Sequence, residues 1–272
     1  MAVSEQFNAK EVKDELVQWI RDWFEKNGPN CRAVIGISGG KDSTIVAALC
    51  VEALGKDRVV GVLMPDGIQA DILKAYEVVN YLDIASLRVD ISDATRAVRN
   101  SIHFSNYGHC KRGLKIHDLT EQTKINLPPR IRMTTLYAIS QSLNGRVSNN
   151  CNLSENWVGY STRWGDSVGD FAPLANLTVS EVKAIGYELS LPADFIEKVP
   201  SDGLCGKTDE DNLGFSYEIL DKYIRTGICE DAEVKAKIDA LHEKNMFKME
   251  PIPCFGYYPN MFWDDVFGWI RE

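Results

Sequence analysis

Residues 32–37 read Arg-Ala-Val-Ile-Gly-Ile. They run directly into Ser38-Gly39-Gly40-Lys41-Asp42-Ser43 and then into Thr-Ile-Val-Ala-Ala-Leu-Cys-Val-Glu-Ala-Leu at 44–54. The first run is short and rich in β-branched residues, which predicts a strand buried on both faces. The last stays apolar until Gly55 and predicts a helix. A strand that turns through glycines straight into a helix does not form a hairpin. It begins a crossover, and crossovers join parallel strands.

The rest of the chain repeats this alternation. Further strands are predicted at 58–64, 86–91 and 145–150. Helices are predicted over about 69–82, from Ser92 onward, over 128–143 after the prolines of Leu-Pro-Pro-Arg, from Thr178 to about Ser190, over 209–224 and over 230–245. Ahead of the first strand, Asn8 and Glu11 form a capping-box pair. Val12, Leu16, Trp19, Ile20, Trp23 and Phe24 follow at helical spacing as a core-facing stripe, with Gly28 as the stop. Residues 103–127 are polar and irregular and read as a long loop. The expected fold is α/β, a doubly wound, mostly parallel sheet with helices on both faces.

No Pro-, Gly- or Ser-rich linker divides the 272 residues, so one domain is expected over 1–272. The formal net charge of -9 argues against a broad nucleic-acid surface. The N-terminus lacks an apolar signal core and no apolar run is long enough to span a bilayer, so no membrane role and a cytoplasmic location are expected. The cysteines, seven in number, include no C-x-x-C pair and read as reduced thiols. His103, His109, Cys110 and His117 match no zinc spacing.

The loop at 38–43 has the chemistry of a polyphosphate cradle. Gly39 and Gly40 let the backbone bend tightly and approach a ligand. The following helix start presents free N–H groups and a positive dipole end. Ser38 and Ser43 add hydroxyls, and Lys41 adds charge. Asp42 would repel phosphate unless a cation intervened, which makes it a candidate Mg²⁺ ligand. The P-loop pattern fails because Ile35 and Asp42 stand where Gly and Ser/Thr belong. The dinucleotide pattern fails because Ser38 replaces its second glycine.

S-G-G-x-D-S resembles the pyrophosphate loop of ATP pyrophosphatases with the adenine nucleotide α-hydrolase-like fold. Three later blocks resemble the NAD synthetase family in particular: Pro129-Arg130-Ile131-Arg132-Met133; the run from Asn152-Leu153-Ser154-Glu155 through Tyr160-Ser161-Thr162-Arg163-Trp164-Gly165-Asp166 to Gly169-Asp170-Phe171-Ala172-Pro173-Leu174; and Lys198-Val199-Pro200-Ser201-Asp202-Gly203-Leu204 with Asp209-Glu210-Asp211-Asn212-Leu213-Gly214. The match runs from residue 30 to about 260.

The resemblance implies roles at matching positions. ATP would be held by Gly36, Ile37, Ser38, Gly39, Gly40, Lys41, Asp42 and Ser43, with Asn150 and Ser201. Asp42 and Glu155 would share Mg²⁺. Arg130, Arg163, Asp170 and Lys248 would contact deamido-NAD, with Asp42 and Asp170 nearest the chemistry. Four positions depart from the family's pattern: Leu63 for an Arg, Val179 for a Lys, Asn150 for a Thr and Phe247-Lys248 for a His-Lys pair. Lys183 and Lys207 are candidate replacements for the missing cation.

The implied reaction is adenylation of the nicotinate carboxylate by ATP, followed by attack of ammonia to give NAD and AMP. Only about 30 residues precede the loop strand, which leaves no room for a glutaminase domain. Free ammonia or a separate supplier is expected, and a homodimer. Two alternatives stay open: a tRNA-thiolating enzyme of the same loop superfamily, and a nucleotide-binding regulator without turnover.

Overall fold

A four-stranded parallel sheet in the order β3-β2-β1-β4 organises the chain. Its strands are β1 (Arg32–Gly36), β2 (Val59–Leu63), β3 (Ala85–Arg88) and β4 (Gly145–Val147). The structure, a computed structural model, describes residues 7–69, 72–104, 116, 118–197, 208–253 and 255.

The helices are α1 (Ala9–Asn27), α2 (Lys41–Leu54), α3 (Ile72–Tyr81), α4 (Ser92–Phe104), α5 (Glu121–Ser142), α6 (Leu153–Val158), α7 (Val179–Glu188), α8 (Ala193–Ile196), α9 (Asp209–Leu213), α10 (Tyr217–Thr226) and α11 (Ala232–Asn245).

Residue alternation along the central strands assigns the two faces. Ala33 and Ile35 of β1 and Val59 and Leu63 of β2 join Ile20 and Phe24 of α1, Ile45 and Leu49 of α2, Val79 of α3 and Ile185 of α7 in one core. Val34, Val60 and Val62 point the other way, onto Ile131, Leu136 and Ile139 of α5. Helices therefore cover both faces, as the alternating sequence pattern predicts. A third cluster joins α6, α9, α10 and α11 through Val158, Leu213, Leu220 and Ile238.

Several expectations are corrected. The helix expected over 128–143 begins at Glu121 and runs through Pro128 and Pro129. Residues 121–127, read as irregular, are its first turns, N-capped by the Thr120 hydroxyl. Pro128 has no N–H for the Lys124 carbonyl, and that carbonyl accepts instead from Arg99 Nη2 at 3.5 Å. The single helix expected over 209–224 is two. Gly214 ends α9 in the left-handed region at φ 76, and the Ser216 side chain caps α10. The third and fourth strands end earlier than the sequence pattern predicts, at Arg88 and Val147, with one isolated bridge from Ser148 to Phe171. In α1 the buried line is Val17, Ile20 and Phe24, while Trp19 is exposed.

β1 pairs with β2 on one side and β4 on the other, so the chain direction across the sheet reverses at β1. The crevice beyond the carboxyl ends of β1 and β4 is the place where an open α/β sheet receives a ligand. The 38–43 loop leaves β1 there, and the segment before α6 leaves β4 there.

Candidate functional site

Backbone geometry makes the 38–43 loop. Gly39 has φ +78, and a Cβ added there would lie 2.8 Å from the Ala75 backbone nitrogen of α3. Both facts demand glycine. Gly40 is the N-cap of α2 and supplies no side-chain cap. The first amides of a fourteen-residue helix therefore face the crevice. Ser38 Oγ accepts from Gly40 N at 3.2 Å, and Ser43 Oγ accepts from Ser38 N at 3.3 Å. The hydroxyls thus brace the bend, with their oxygens 3.2 Å apart.

Lys41 turns inward. It is 2% exposed, and its Nζ lies 2.8 Å from Asp42 Oδ2. Glu155 and Asp209 also bear on the Lys41 ammonium electrostatically, and together with Asp42 their attraction outweighs the cost of burying the charge. The Tyr217 ring centroid sits 6.0 Å from that Nζ. The loop's charge is thus committed to a carboxylate cluster rather than held out over the bend.

Glu155 enters the cluster as the third residue of α6. Asn152 and Glu155 form a full capping box: Asn152 Oδ1 accepts from Glu155 N at 3.0 Å, and Glu155 Oε2 accepts from Asn152 N at 3.3 Å. Asn152 Nδ2 donates to Asp42 Oδ1 at 3.2 Å. Acids from two helices far apart in sequence meet through this one amide, which itself lies 110 residues from Asp42. Burial, then the neighbouring Asp42 charge, push the Glu155 carboxyl up to about 8, against the pull of Lys41.

Such a pair of crowded carboxylates favours a divalent cation, and hard oxygen donors suit Mg²⁺. Among the described residues no group of three or more His, Cys, Asp or Glu is arranged to hold a metal by itself. Phosphate and water oxygens would complete the shell, as Mg²⁺ sites commonly have it.

Asn150, ahead of α6, donates from Nδ2 to the Gly36 carbonyl at 3.2 Å and accepts from Ser148 Oγ at 2.8 Å. It ties the end of β4 to the end of β1. Ile37 is buried in the core, and its N–H donates to the Val62 carbonyl of β2 at 2.9 Å.

The basic residues singled out in the sequence gather on the segment that leaves α6. Lys248 Nζ donates to the Gly159 carbonyl at 2.7 Å and the Ser161 carbonyl at 3.2 Å, and partial burial lowers its pKa. Arg130 Nε donates to the Arg163 carbonyl at 3.3 Å. The Arg163 guanidinium carbon lies 4.9 Å from the Trp164 ring centroid and 5.2 Å from that of Phe247. Arg163 Nε and Ser161 Oγ are buried without a hydrogen-bond partner. The six-residue helix α6, which carries Glu155, leads directly into this basic and aromatic cluster.

Asp170 is not free within its surroundings. Oδ2 accepts from Val147 N at 2.7 Å and Oδ1 from the Tyr137 hydroxyl at 3.2 Å. Burial and this carboxylate push the Tyr137 phenol up to about 12. Ser201 and Lys207 lie outside the described residues, while Lys183 is engaged by Glu197 at 2.7 Å.

Sequence reasoning missed three contributors. Asn152 carried a legible signal, Asn-x-x-Glu at 152–155. Asp209 stands in the third family-like block with no role attached to it, and Asp221 carried no signal. Asp221 is fully buried on α10 and accepts from Ser154 Oγ at 2.5 Å, Ser180 N at 2.7 Å and Ser180 Oγ at 2.7 Å. It clips the starts of α6 and α7 together.

The NAD synthase family profile matches residues 12–252. A relative from Pyrococcus furiosus, an NH(3)-dependent NAD(+) synthetase, is 36% identical over 218 residues, covering 80% of this chain and 78% of its own. Among solved structures, an NMN synthetase from Francisella tularensis superposes with a TM-score of 0.79 and 31% identity, covering 94% of this chain and 100% of that one. An NH3-dependent NAD synthetase from Campylobacter jejuni subsp. jejuni, in complex with the nitrate ion, gives 0.72 and 27%, covering 92% and 100%.

Proposed function

The chain belongs to the NAD synthase family, and from that premise we propose that it joins ammonia to the nicotinate carboxyl of deamido-NAD, cleaving ATP to AMP and pyrophosphate. It is a carbon–nitrogen ligase. The observation that carries the reading is the meeting of the glycine bend, the α2 N-terminus and the Asp42–Asn152–Glu155 group at the point where the sheet reverses order.

The chemistry proceeds in two displacements. A nicotinate oxygen attacks the α-phosphorus of ATP, and the bond to the β-phosphate oxygen breaks, releasing pyrophosphate. Ammonia nitrogen then attacks the acyl carbon. The acyl–oxygen bond breaks, AMP leaves with that oxygen, and the nitrogen loses one proton to water.

The protein's contribution is alignment and charge stabilisation. The α2 amides and the bend at Gly36, Ile37, Ser38, Gly39, Gly40, Lys41, Asp42 and Ser43 receive the β- and γ-phosphates, with Asn150 beside them, and the family resemblance gives Ser201 a part in ATP binding. Asp42 and Glu155 hold Mg²⁺, which when bound neutralises phosphate charge and eases pyrophosphate departure. Arg130, Arg163 and Lys248 take the anionic dinucleotide. Arg163 Nε and Ser161 Oγ, buried without partners, support a polar ligand at that cluster. Asp170 orients the nicotinate end. The acting unit is a cytoplasmic homodimer, using free ammonia or ammonia from a separate protein.

The test is incubation with ATP, Mg²⁺, ammonium and deamido-NAD. NAD and AMP formed in equal amounts support the reading. AMP released only with tRNA, or nucleotide binding without turnover, would replace it.

A second reading concerns only the size of the substrate. The Francisella tularensis NMN synthetase is the nearer of the two solved structures described above in both TM-score and identity. The same assay with nicotinate mononucleotide, the acid counterpart of NMN, decides the matter. NMN formed faster than NAD would make the mononucleotide the substrate.

A further inference from the structure

We propose that Asn152 is a positioning residue that sets the separation and aim of Asp42 and Glu155. The inference rests on the reading of those two acids as Mg²⁺ ligands.

Asn152 is 0% exposed, and both ends of its side chain are used. Oδ1 accepts from Glu155 N, which orients the amide and leaves Nδ2 facing Asp42 Oδ1 at 3.2 Å. The Asn152 backbone N–H reaches the Glu155 carboxylate at 3.3 Å, and its carbonyl accepts from Asn156 N at 3.1 Å. One residue therefore fixes the backbone and the carboxylate of Glu155 together with one oxygen of Asp42.

Helix capping alone does not require asparagine, since Ser and Asp serve about equally well at an N-cap. Only asparagine also offers Asp42 a donor. Serine keeps the cap and is too short to reach Asp42. Aspartate keeps the cap and the size but turns a carboxylate oxygen toward a carboxylate. The choice of residue answers to Asp42 and not to the helix.

Groups that orient metal ligands typically contribute about 10–100-fold in metal affinity or activity. The experiment compares wild type, Asn152→Ser and Asn152→Asp as full chains. Mn²⁺ binding is followed by electron paramagnetic resonance in the presence of the α,β-methylene analogue of ATP, with Tm and kcat measured in parallel. Both variants are expected to melt within a few degrees of wild type, to need about tenfold or more Mn²⁺ for half-saturation, and to lose about 10–100-fold in kcat. Wild-type Mn²⁺ affinity and kcat in either folded variant would overturn the proposal. Should Asn152→Ser fail to fold, Asn152→Asp alone decides by the same criterion. Failure of wild type itself to take up Mn²⁺ would sink the metal reading beneath it, a result distinct from unchanged variants.

Discussion

Lys41 and Asp42, neighbours in sequence at the first turn of α2, bind each other, with the lysine Nζ 2.8 Å from Asp42 Oδ2 and the lysine side chain almost wholly buried. The lysine therefore neutralises part of the acidic cluster in the absence of a ligand. Removing one partner of a buried ion pair costs about 3–5 kcal/mol because the other charge is left unpaired. Lys41→Met is expected to lower stability by an amount of that order in metal-free solution. Mg²⁺ with a non-cleavable ATP analogue should recover part of the loss, because a divalent cation supplies the missing charge. Denaturant unfolding with and without ligand measures both effects. Equal stability of variant and wild type would contradict the pairing.

Glu155 gives a pH dependence with a definite sign. Its ordinary value is 4.5, and burial beside Asp42 raises it to about 8 in the fold. Between those values the folded chain keeps a proton that the unfolded chain has lost, so stability falls as pH rises through this window. Glu155→Gln removes the ionisable group. In EDTA its Tm should decline less than that of wild type between pH 5 and pH 8.5, on the order of the shift's window, while its activity is lost. Parallel Tm profiles for the two proteins would refute the assignment.

Gly39 is constrained twice, by φ +78 and by the close approach of the Ala75 backbone. Gly39→Ala should destabilise the chain by about 1–3 kcal/mol through backbone strain. It should also weaken ATP binding, since the bend would have to move away from α3. Thermal melting and nucleotide titration check both parts. By contrast, Gly55 also has positive φ but has open space where its Cβ would lie, so Gly55→Ala isolates the conformational part of the cost.

Asp221 makes a separable prediction. It accepts three hydrogen bonds from Ser154 and Ser180 in a fully buried position. Asp221→Ala leaves two hydroxyls and one amide without their acceptor and should cost on the order of 3 kcal/mol. The start of α6 loosens with it, so the concentration of Mg²⁺ needed for half-maximal rate should rise as well. Wild-type unfolding free energy would contradict this.

How far the sequence discloses these parts depends on how local the cause is. The bend at 38–43 is legible because the hydrophobic period changes from strand to helix on either side of two glycines, and each fact is readable within about twenty residues. The start of α7 is local in the same way: the helix expected from Thr178 begins there, with Thr178 and Glu181 forming a full capping box. The Asn152–Glu155 box was equally local, but its helix is only six residues long and carries no amphipathic period to draw the eye. The start of α5 is hidden in the sequence because Pro128 and Pro129 resemble a helix beginning. What lets the helix continue through them includes Arg99 from α4 serving the Lys124 carbonyl, a tertiary fact. The break between α9 and α10 is encoded by Gly214 and Ser216, a glycine stop followed by a serine cap, but the apolar spacing continues across it and masks it. Asp221 acts across elements distant in sequence, and nothing in its neighbourhood distinguishes it from a surface acid; Asp209 sits in a family-like block, but only the fold brings it to bear on Lys41.

The most direct measurement of the central claim is turnover by Asp42→Asn beside wild type, with ATP, Mg²⁺, ammonium and deamido-NAD supplied. Asparagine keeps the size of the side chain and can still meet Asn152, but it takes the nearest counter-charge from the buried Lys41 ammonium, so Tm should fall, and turnover is compared below the variant's melting transition, where the chain is folded. Without the charge, the pyrophosphate end of ATP loses its cation, and kcat should fall by two or more orders of magnitude, in the range seen when a charge-stabilising group is removed. NAD formation by Asp42→Asn at a rate near wild type would contradict the account.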